Sequence, residues 1–161
     1  MRSIASVLLL IIVLLSGCLP PKFETTGAKS VPAPKGSVVR DGKFEFQVVD
    51  VSRAPTAGNS NNQSEIVTAQ GEFIIVTLSV KNVGNTPQPY FGQNQMLVDT
   101  SGREYGANSY ADKWMNSRLA HDINPGNSIQ AKQAFDVAPG AQPASLEVHY
   151  SLTSNGAKVQ L

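Results

Sequence analysis

The sequence is poor in cysteine and in clustered charge. It contains a single cysteine, Cys18, so no disulfide can form within the chain, although small exported domains often depend on such bonds. Lys and Arg number 13 and Asp and Glu 12, and the basic residues form no cluster along the sequence. Nucleic-acid binding depends on clustered positive charge that releases counterions from phosphates. The composition therefore predicts a domain held by packing alone, with no nucleic-acid partner.

The chain also lacks an apolar run long enough for a membrane-spanning helix, which needs about 20 residues. The longest run, residues 4–15, follows the single charge of Arg2 and ends at Ser16 and Gly17. A short positive start, an apolar segment of about a dozen residues and small residues at its end are typical of a secretory signal peptide. We therefore predict that residues 1–17 are a signal peptide.

The segment Leu15-Ser16-Gly17-Cys18 resembles the bacterial lipobox. Its small residues suit a peptidase groove, and the Cys18 thiol can form a thioether to diacylglycerol. Two acyl chains hold a protein at a membrane where a single chain would exchange. We expect Cys18 to become the lipid-carrying first residue of a protein at the extracytoplasmic face of the cell membrane. The alternative is a buried, small apolar Cys18 at the end of a membrane helix.

Residues 18–37 are rich in proline and glycine and poor in large apolar residues. Such a stretch cannot bury enough surface to order itself, so we predict a flexible tether. The remainder, residues 38–161, is the size of one domain.

Alternating apolar residues indicate β-strands in this domain. Phe44, Phe46 and Val48 share one phase, and the shift of Val49 and Val51 to the other phase predicts either a β-bulge or an edge crossing between sheets. Residues 53–70 contain a run of polar residues and are interpreted as a long exposed loop, either functional or disordered, with the composition favouring disorder.

Residues 72–82 carry β-branched side chains on both phases, as expected of a central strand that is covered on both sides. Asp99 to Gly102 forms the pattern of a tight turn, and residues 103–105 return from it as a hairpin partner. Two later strands are predicted from side chains that share one face: Ile129, Ala131, Gln133, Phe135 and Val137 in the first, and Leu146, Val148, Tyr150 and Leu152 in the second.

One short helix is predicted, because Ser109 and Asp112 have the spacing of a capping box. It should begin with Ser109 as the N-cap and extend to about Arg118. Short strands at intervals of about 8 to 12 residues, separated by turns, are otherwise typical of a β-sandwich. Asn155-Gly156 is the pattern of a final hairpin turn.

The anchors of this pattern resemble a known group. They are a long strand ending in Lys81-Asn82-Val83-Gly84, an Asp-x-x-Gly hairpin followed by Tyr105, a Pro125-Gly126 turn, and a strand ending in Phe135-Asp136-Val137. Together, over about residues 42–150, they resemble the immunoglobulin-like domain of the mycobacterial secreted immunoprotective antigen and of uncharacterised lipoproteins of Gram-positive bacteria. The resemblance implies an all-β fold, an antiparallel immunoglobulin-like β-sandwich at the cell surface, with no established enzyme activity.

Candidates for chemistry are sparse. His121, Asp122 and His149 lack further ligands at metal spacing, since a zinc site needs three or four. Asp99 and Glu104 could form a carboxylate pair, but the hairpin around them favours a turn-capping Asp and an exposed Glu. We therefore predict no catalytic residues, no metal and no cofactor.

Tyr105, Tyr110, Trp114 and Met115 lie on or beside the predicted helix, outside the regular strand pattern. Aromatic residues and Met are enriched at binding hot spots, so these four form a possible interaction patch. The alternative for Trp114 is a buried plug at one end of the sandwich.

The sequence thus favours a membrane-anchored, non-catalytic module that binds an unknown protein or cell-envelope partner. A prophage-type exclusion protein or structural envelope lipoprotein is the second hypothesis. An envelope hydrolase is the third, and it would require a pocket with convergent polar groups and shifted pKa values.

Overall fold

The computed structural model describes residues 31–117, 119 and 122–161. The predicted signal peptide, Cys18 and residues 18–30 of the predicted tether lie outside this part, as do Arg118 and His121. The strands are β1 (Val38–Asp41), β2 (Phe44–Gly58), β3 (Ile66–Asn82), β4 (Gln88–Pro89), β5 (Met96–Asp99), β6 (Glu104–Gly106), β7 (Asp122–Ile123), β8 (Ser128–Val137), β9 (Pro143–Val148) and β10 (Ala157–Gln160), and the helix α1 is Ser109–Met115. In the described part, no helix is both long and apolar enough to cross a membrane.

The strands form two four-stranded antiparallel sheets, in the orders β1-β2-β3-β8 and β10-β9-β5-β6, and a small pair β4-β7. Their facing sides enclose one main core, whose largest fully buried apolar residues are Phe44, Phe46, Ile74, Leu78, Leu97, Ile123, Phe135 and Leu146. This arrangement confirms the prediction of an all-β sandwich with one short helix.

Strand β3 is central, as predicted, because it pairs with β2 on one side and β8 on the other. Ile74 and Val76 point into the main core. Phe73, on the opposite phase, is fully buried in a second cluster with Ala111 of α1 and Ala134 of β8. Both phases at the start of this strand are therefore covered, which explains its β-branched and aromatic composition.

The predicted bulge in β2 is confirmed, since the register with β3 shifts between Val48 and Asp50. The prediction of a long loop at residues 53–70 was wrong. β2 continues to Gly58 and β3 begins at Ile66, with Thr56 opposite Thr68. A second register shift between Ala54 and Thr56 accommodates Pro55, which has no N–H to donate to a partner strand.

The polar run closes this hairpin because its side chains replace backbone partners. Asn59 Oδ1 accepts a hydrogen bond from the Asn61 N–H (3.1 Å), and Asn62 Oδ1 accepts one from the Ser64 N–H (3.2 Å). Asn59 Nδ2 donates to a Glu65 carboxylate oxygen at 2.7 Å. Gly58 has φ +140°, and a Cβ there would lie 2.0 Å from the Glu65 carbonyl oxygen, so only glycine fits.

The turn at Asp99 is confirmed as a hairpin between β5 and β6. Asp99 Oδ1 accepts hydrogen bonds from the Ser101 and Arg103 N–H groups, and Oδ2 accepts from Arg103 Nε and from the Tyr105 hydroxyl. Burial acts to raise the Asp99 pKa, but these hydrogen bonds outweigh it and hold the pKa below its usual value. Glu104 is exposed, so the two carboxylates do not form a pair.

Two further predictions need correction. The N-cap of α1 is Asn108 rather than Ser109, because Asn108 Oδ1 accepts from the Ala111 N–H at 3.0 Å, and the helix ends at Met115. The predicted last long strand ends at Val148. Tyr150 and Leu152 belong instead to the eight-residue turn 149–156 between β9 and β10.

The N-terminal end of the described chain pairs with the sandwich before β1. Ala33 bridges to Val159 in the parallel sense, with its N–H donating to the Lys158 carbonyl at 2.8 Å and its carbonyl accepting from the Gln160 N–H at 2.9 Å. Backbone pairing thus begins within residues 18–37, the segment predicted to be the tether.

Candidate functional site

Helix α1 lies along the free edge of β8. Asp112 Oδ1 accepts a hydrogen bond from the Ala134 N–H (2.8 Å). Asn116 accepts from the Lys132 N–H at 2.8 Å and donates to the Lys132 carbonyl at 2.7 Å. These side chains satisfy backbone groups that an uncovered edge strand would expose. The helix is therefore fixed against the sheet, which gives its other residues defined positions.

A cavity of about 450 Å³ lies between α1, the segment from Tyr90 to Gln93, and β8. We call it the edge cavity. Its lining includes the apolar side chains of Phe91, Trp114, Leu119, Ile129 and Ala131 and the polar side chains of Tyr90, Gln93, Ser109, Asp112, Lys113, Asn116, Ser117 and Gln133. Concave, partly apolar cavities with a few placed polar groups are typical of small-ligand sites.

Three of the side chains that line the edge cavity, those of Tyr90, Asp112 and Gln133, carry buried polar atoms, and we call them the floor of the cavity. The Tyr90 hydroxyl, Asp112 Oδ2 and both amide atoms of Gln133 are buried and have no hydrogen-bond partner among the described residues. Gln133 is fully buried and Asp112 is 8% exposed. Each such group costs about 1 to 3 kcal/mol when it is left unpaired. Several such groups in one cavity make it a candidate for a bound water or ligand.

Gly92 brings its backbone directly over this floor. A Cβ at Gly92 would lie 3.2 Å from Asp112 Oδ2 and 3.2 Å from Gln133 Nε2. A Cβ at Gly92 would thus be in tight contact with both groups, and their side chains would have to shift by a few tenths of an ångström to make room for it.

Burial controls the protonation of the floor. It raises the pKa of Asp112 to about 7, against a smaller opposing effect of the hydrogen bond from the Ala134 N–H. Burial, and then the charge of Asp112, raise the Tyr90 pKa above its usual value. Near neutral pH the floor therefore consists of the partly ionised Asp112 carboxyl, the neutral Tyr90 phenol and the Gln133 amide. Such a set can both donate and accept hydrogen bonds.

The four residues of the predicted interaction patch are not all together. Tyr110, 73% exposed, Trp114 and Met115 lie on α1, whereas Tyr105 lies on β6 and its hydroxyl donates to Asp99 at 3.0 Å. Trp114 is half-buried at the edge cavity, with Lys113 Nζ 4.6 Å from its ring centroid. Met115 is half-buried against the second cluster. A binding role for these residues stays a prediction.

The floor could not be predicted from the sequence as a site. Tyr90 belongs to no pattern that indicates binding, and Asp112 was predicted to be part of a capping box. Gln133 did give a signal, because it is a polar residue on the inward phase between Ala131 and Phe135. His149 lies elsewhere, 3.3 Å from Glu147, and Asp122 is exposed on β7. No group of three or more His, Cys, Asp or Glu side chains in the described residues is placed to hold a metal ion.

The fold is shared with solved structures of low sequence identity. The secreted protein MPT63 from Mycobacterium tuberculosis matches with a TM-score of 0.58 and 13% identity, over 82% of this chain and 99% of its own. The yjhA protein from Bacillus subtilis matches with a TM-score of 0.57 and 13% identity, over 80% and 98%. An uncharacterised β-sandwich protein from Clostridium difficile matches with a TM-score of 0.52 and 11% identity, over 86% and 99%.

These similarities bear out the resemblance to the mycobacterial antigen and to uncharacterised Gram-positive β-sandwich proteins. They indicate no catalytic family. A comparison with curated protein sequences finds no match. One sequence family matches residues 33–159, a range that begins at the residue pairing with β10 and ends at the last buried residue of that strand. The chain therefore belongs to the family described as a domain of unknown function, DUF4352.

Proposed function

We propose that this protein is a lipid-anchored, extracytoplasmic, non-catalytic binding module, and that its ligand occupies the edge cavity. The observation that carries the binding role is the unpartnered floor formed by Tyr90, Asp112 and Gln133. The anchoring role rests on the sequence Leu15-Ser16-Gly17-Cys18 after an apolar segment. A secreted protein among the similar folds supports the same location.

The floor suits a neutral polar group of a small molecule, or of a larger envelope molecule. The Gln133 amide offers both donors and an acceptor, and the Tyr90 hydroxyl can do either. A ligand that satisfies these groups recovers the cost of leaving them unpaired. Because Gly92 lies over the floor, the ligand reaches it by displacing the segment 91–93. The Trp114 side chain at the wall then supplies apolar contact.

An envelope hydrolase is the second candidate, favoured by one observation. The cavity contains convergent polar groups and a carboxyl, Asp112, whose pKa is raised to about 7 by burial, as expected of a general base. Against it, Asp112 Oδ1 is already bound to the backbone of β8, and no His lies among the described lining residues. Asp112→Asn separates the two candidates. A hydrolase would lose turnover with this substitution, whereas a binding module would keep its ligand binding.

The anchor is tested by fractionating cells that express Cys18→Ser. The substitution removes the thioether acceptor, so uncleaved precursor or protein shed into the medium is expected. Mature, membrane-bound Cys18→Ser protein would contradict the lipobox interpretation.

The binding site is tested by photo-crosslinking on intact cells. A photoreactive residue replaces Ser117, an exposed residue at the rim of the edge cavity. The matched control replaces Ser101, which is exposed in the turn after β5. A discrete adduct from position 117 and none from position 101 is expected. Equal labelling from both positions would remove the edge cavity as the binding site.

A further inference from the structure

The chain leaves the domain at a defined end of the sandwich. Ala33 pairs in parallel with Val159, and β10 begins at Ala157, which is paired with Val148 at the end of β9. Val31, two residues before Ala33, therefore lies toward the start of β10. This is the end that carries the turn 149–156, and Val31 is the first described residue of the chain there.

The same end exposes large apolar side chains. A groove of about 410 Å³ lies there between Pro89 and Phe91 on one side and Tyr150 and Leu152 on the other. Phe91 is 50% exposed and Leu152 is 85% exposed, and Val31 is 88% exposed. We call Phe91 and Leu152, which both line this groove, the apolar tip. Exposed apolar groups of this size in one place mark an interaction site.

Hydrogen bonds fix the turn that presents Leu152. The carboxylate of Asp41 accepts from the Tyr150 N–H at 2.6 Å and from the Gly156 N–H at 3.1 Å. The Ser154 hydroxyl donates to the Ser151 carbonyl at 2.8 Å within the turn. The Tyr150 ring packs on Phe44, with centroids 5.3 Å apart. The turn is thus tied to the core while Leu152 projects outward.

We propose that the apolar tip inserts into the interfacial region of the bilayer to which Cys18 anchors the protein. The inference rests on the proposed lipid anchor. Residues 19–30 separate Cys18 from Val31, and a fully extended chain of this length spans at most about 45 Å. The anchor therefore keeps this end within about 45 Å of the membrane, and a contact between the tip and the bilayer is effective even when it is weak because it is intramolecular.

The charge balance favours an apolar contact over an electrostatic one. Without Arg2, the only charge of the predicted signal peptide, Lys and Arg total 12 against 12 Asp and Glu. A neutral protein gains little from the negative surface potential of lipids. The opposite end of the sandwich, with the turn after Asp99, then points away from the membrane.

The experiment uses the lipidated protein in phosphatidylcholine vesicles. An environment-sensitive fluorophore is attached at Thr153→Cys, an exposed residue of the groove, or at Ser101→Cys at the opposite end. Cys18 does not compete for the label because its thiol forms the thioether. Brominated acyl chains should quench position 153 at least about twofold, since interfacial groups lie only about 5–10 Å deep. Position 101 should be unchanged.

Leu152→Ser in the Thr153→Cys protein should remove most of the quenching. Val49→Ser is the matched control, because Val49 is 51% exposed on β2, away from the tip, and it should leave quenching intact. If quenching persists in a protein that carries both Leu152→Ser and Phe91→Ser, the inference is wrong.

Vesicle flotation separates this inference from the proposed function. If the protein floats with vesicles but position 153 is not quenched, the anchor holds and the tip proposal is wrong. The inference is also wrong if the fluorescence of position 153 shifts without brominated lipid and the protein has the mass of a dimer. The tip would then contact a second copy of the chain. If the purified protein does not float with the vesicles, the lipid anchor is absent, and both the proposed anchoring and the tip inference are wrong.

Discussion

Asp112→Asn should remove the pH dependence of stability that the buried Asp112 carboxyl imposes. Burial raises the pKa of Asp112 from 3.8 to about 7, so the folded protein binds this proton more tightly than the unfolded chain. The stabilisation is fully present below pH 3.8 and is lost as the pH rises through about 7. Asparagine keeps an oxygen that can accept from the Ala134 N–H but carries no charge at any pH.

The magnitude follows from the pKa difference. A shift of about 3 pH units, at about 1.4 kcal/mol per unit, gives about 4 kcal/mol of stability lost by the wild type between acidic and mildly basic pH. The Asn variant does not lose it. The free energy of unfolding of the variant, relative to the wild type, should therefore rise by about 4 kcal/mol between pH 4 and pH 8.

Urea unfolding of both proteins at several pH values measures this difference directly. The proteins should begin at Leu19, so that they lack the predicted lipidation site at Cys18 but retain the pairing of Ala33 with β10. Groups elsewhere titrate equally in both proteins and cancel. A difference that is constant from pH 4 to 8, or one that falls with pH, would refute the assignment of a buried, protonated Asp112.

Further substitutions test the core and the cavity separately. Val76→Asp, at a fully buried position, should cost more than about 4 kcal/mol in urea unfolding, and an unchanged midpoint would refute the packing of β3. Gly92→Ala should cost about 1 to 3 kcal/mol because its Cβ presses on the cavity floor, whereas Gly106→Ala, with open space around it, should cost clearly less; equal costs would contradict the close approach. Gln133→Leu should raise the unfolding free energy by about 1 to 3 kcal/mol, because it removes two unpartnered buried groups; a loss of stability would show that the amide is satisfied. Trp114→Ala, at a half-buried position, should cost less than the roughly 3 to 5 kcal/mol of a fully buried aromatic residue, and a full loss would support the end plug.

Periodicity predicted the parts of the fold in which burial alone decides the pattern. The two covered phases of β3 and the register shift after Val48 follow from which side chains must face a core. The Asp99 turn was predictable because the side chain satisfies its own neighbouring backbone groups. These are local or strictly periodic signals, and both are visible in a single sequence.

The hairpin at residues 53–70 was not predictable in this way. Its Asn residues act as turn-forming groups only once β2 and β3 are paired, and unpaired they have the composition of a disordered segment. The cavity floor was missed for a related reason. Tyr90, Asp112 and Gln133 come from three distant segments, and only the tertiary fold brings their polar atoms together. Gln133 on an inward phase was the single sequence signal of this site.

The central claim is that a ligand binds at the polar floor of the edge cavity, and crosslinking with an altered floor tests it most directly. A photoreactive residue at position 117 is placed in otherwise wild-type protein and in Gln133→Leu protein, and both are irradiated on intact cells at equal surface amounts. Loss of a buried hydrogen-bond partner worth about 1.4 kcal/mol should lower the yield of the discrete adduct about tenfold at subsaturating ligand. An equal yield from the two proteins would contradict the claim, because the partner would then bind without using the cavity floor.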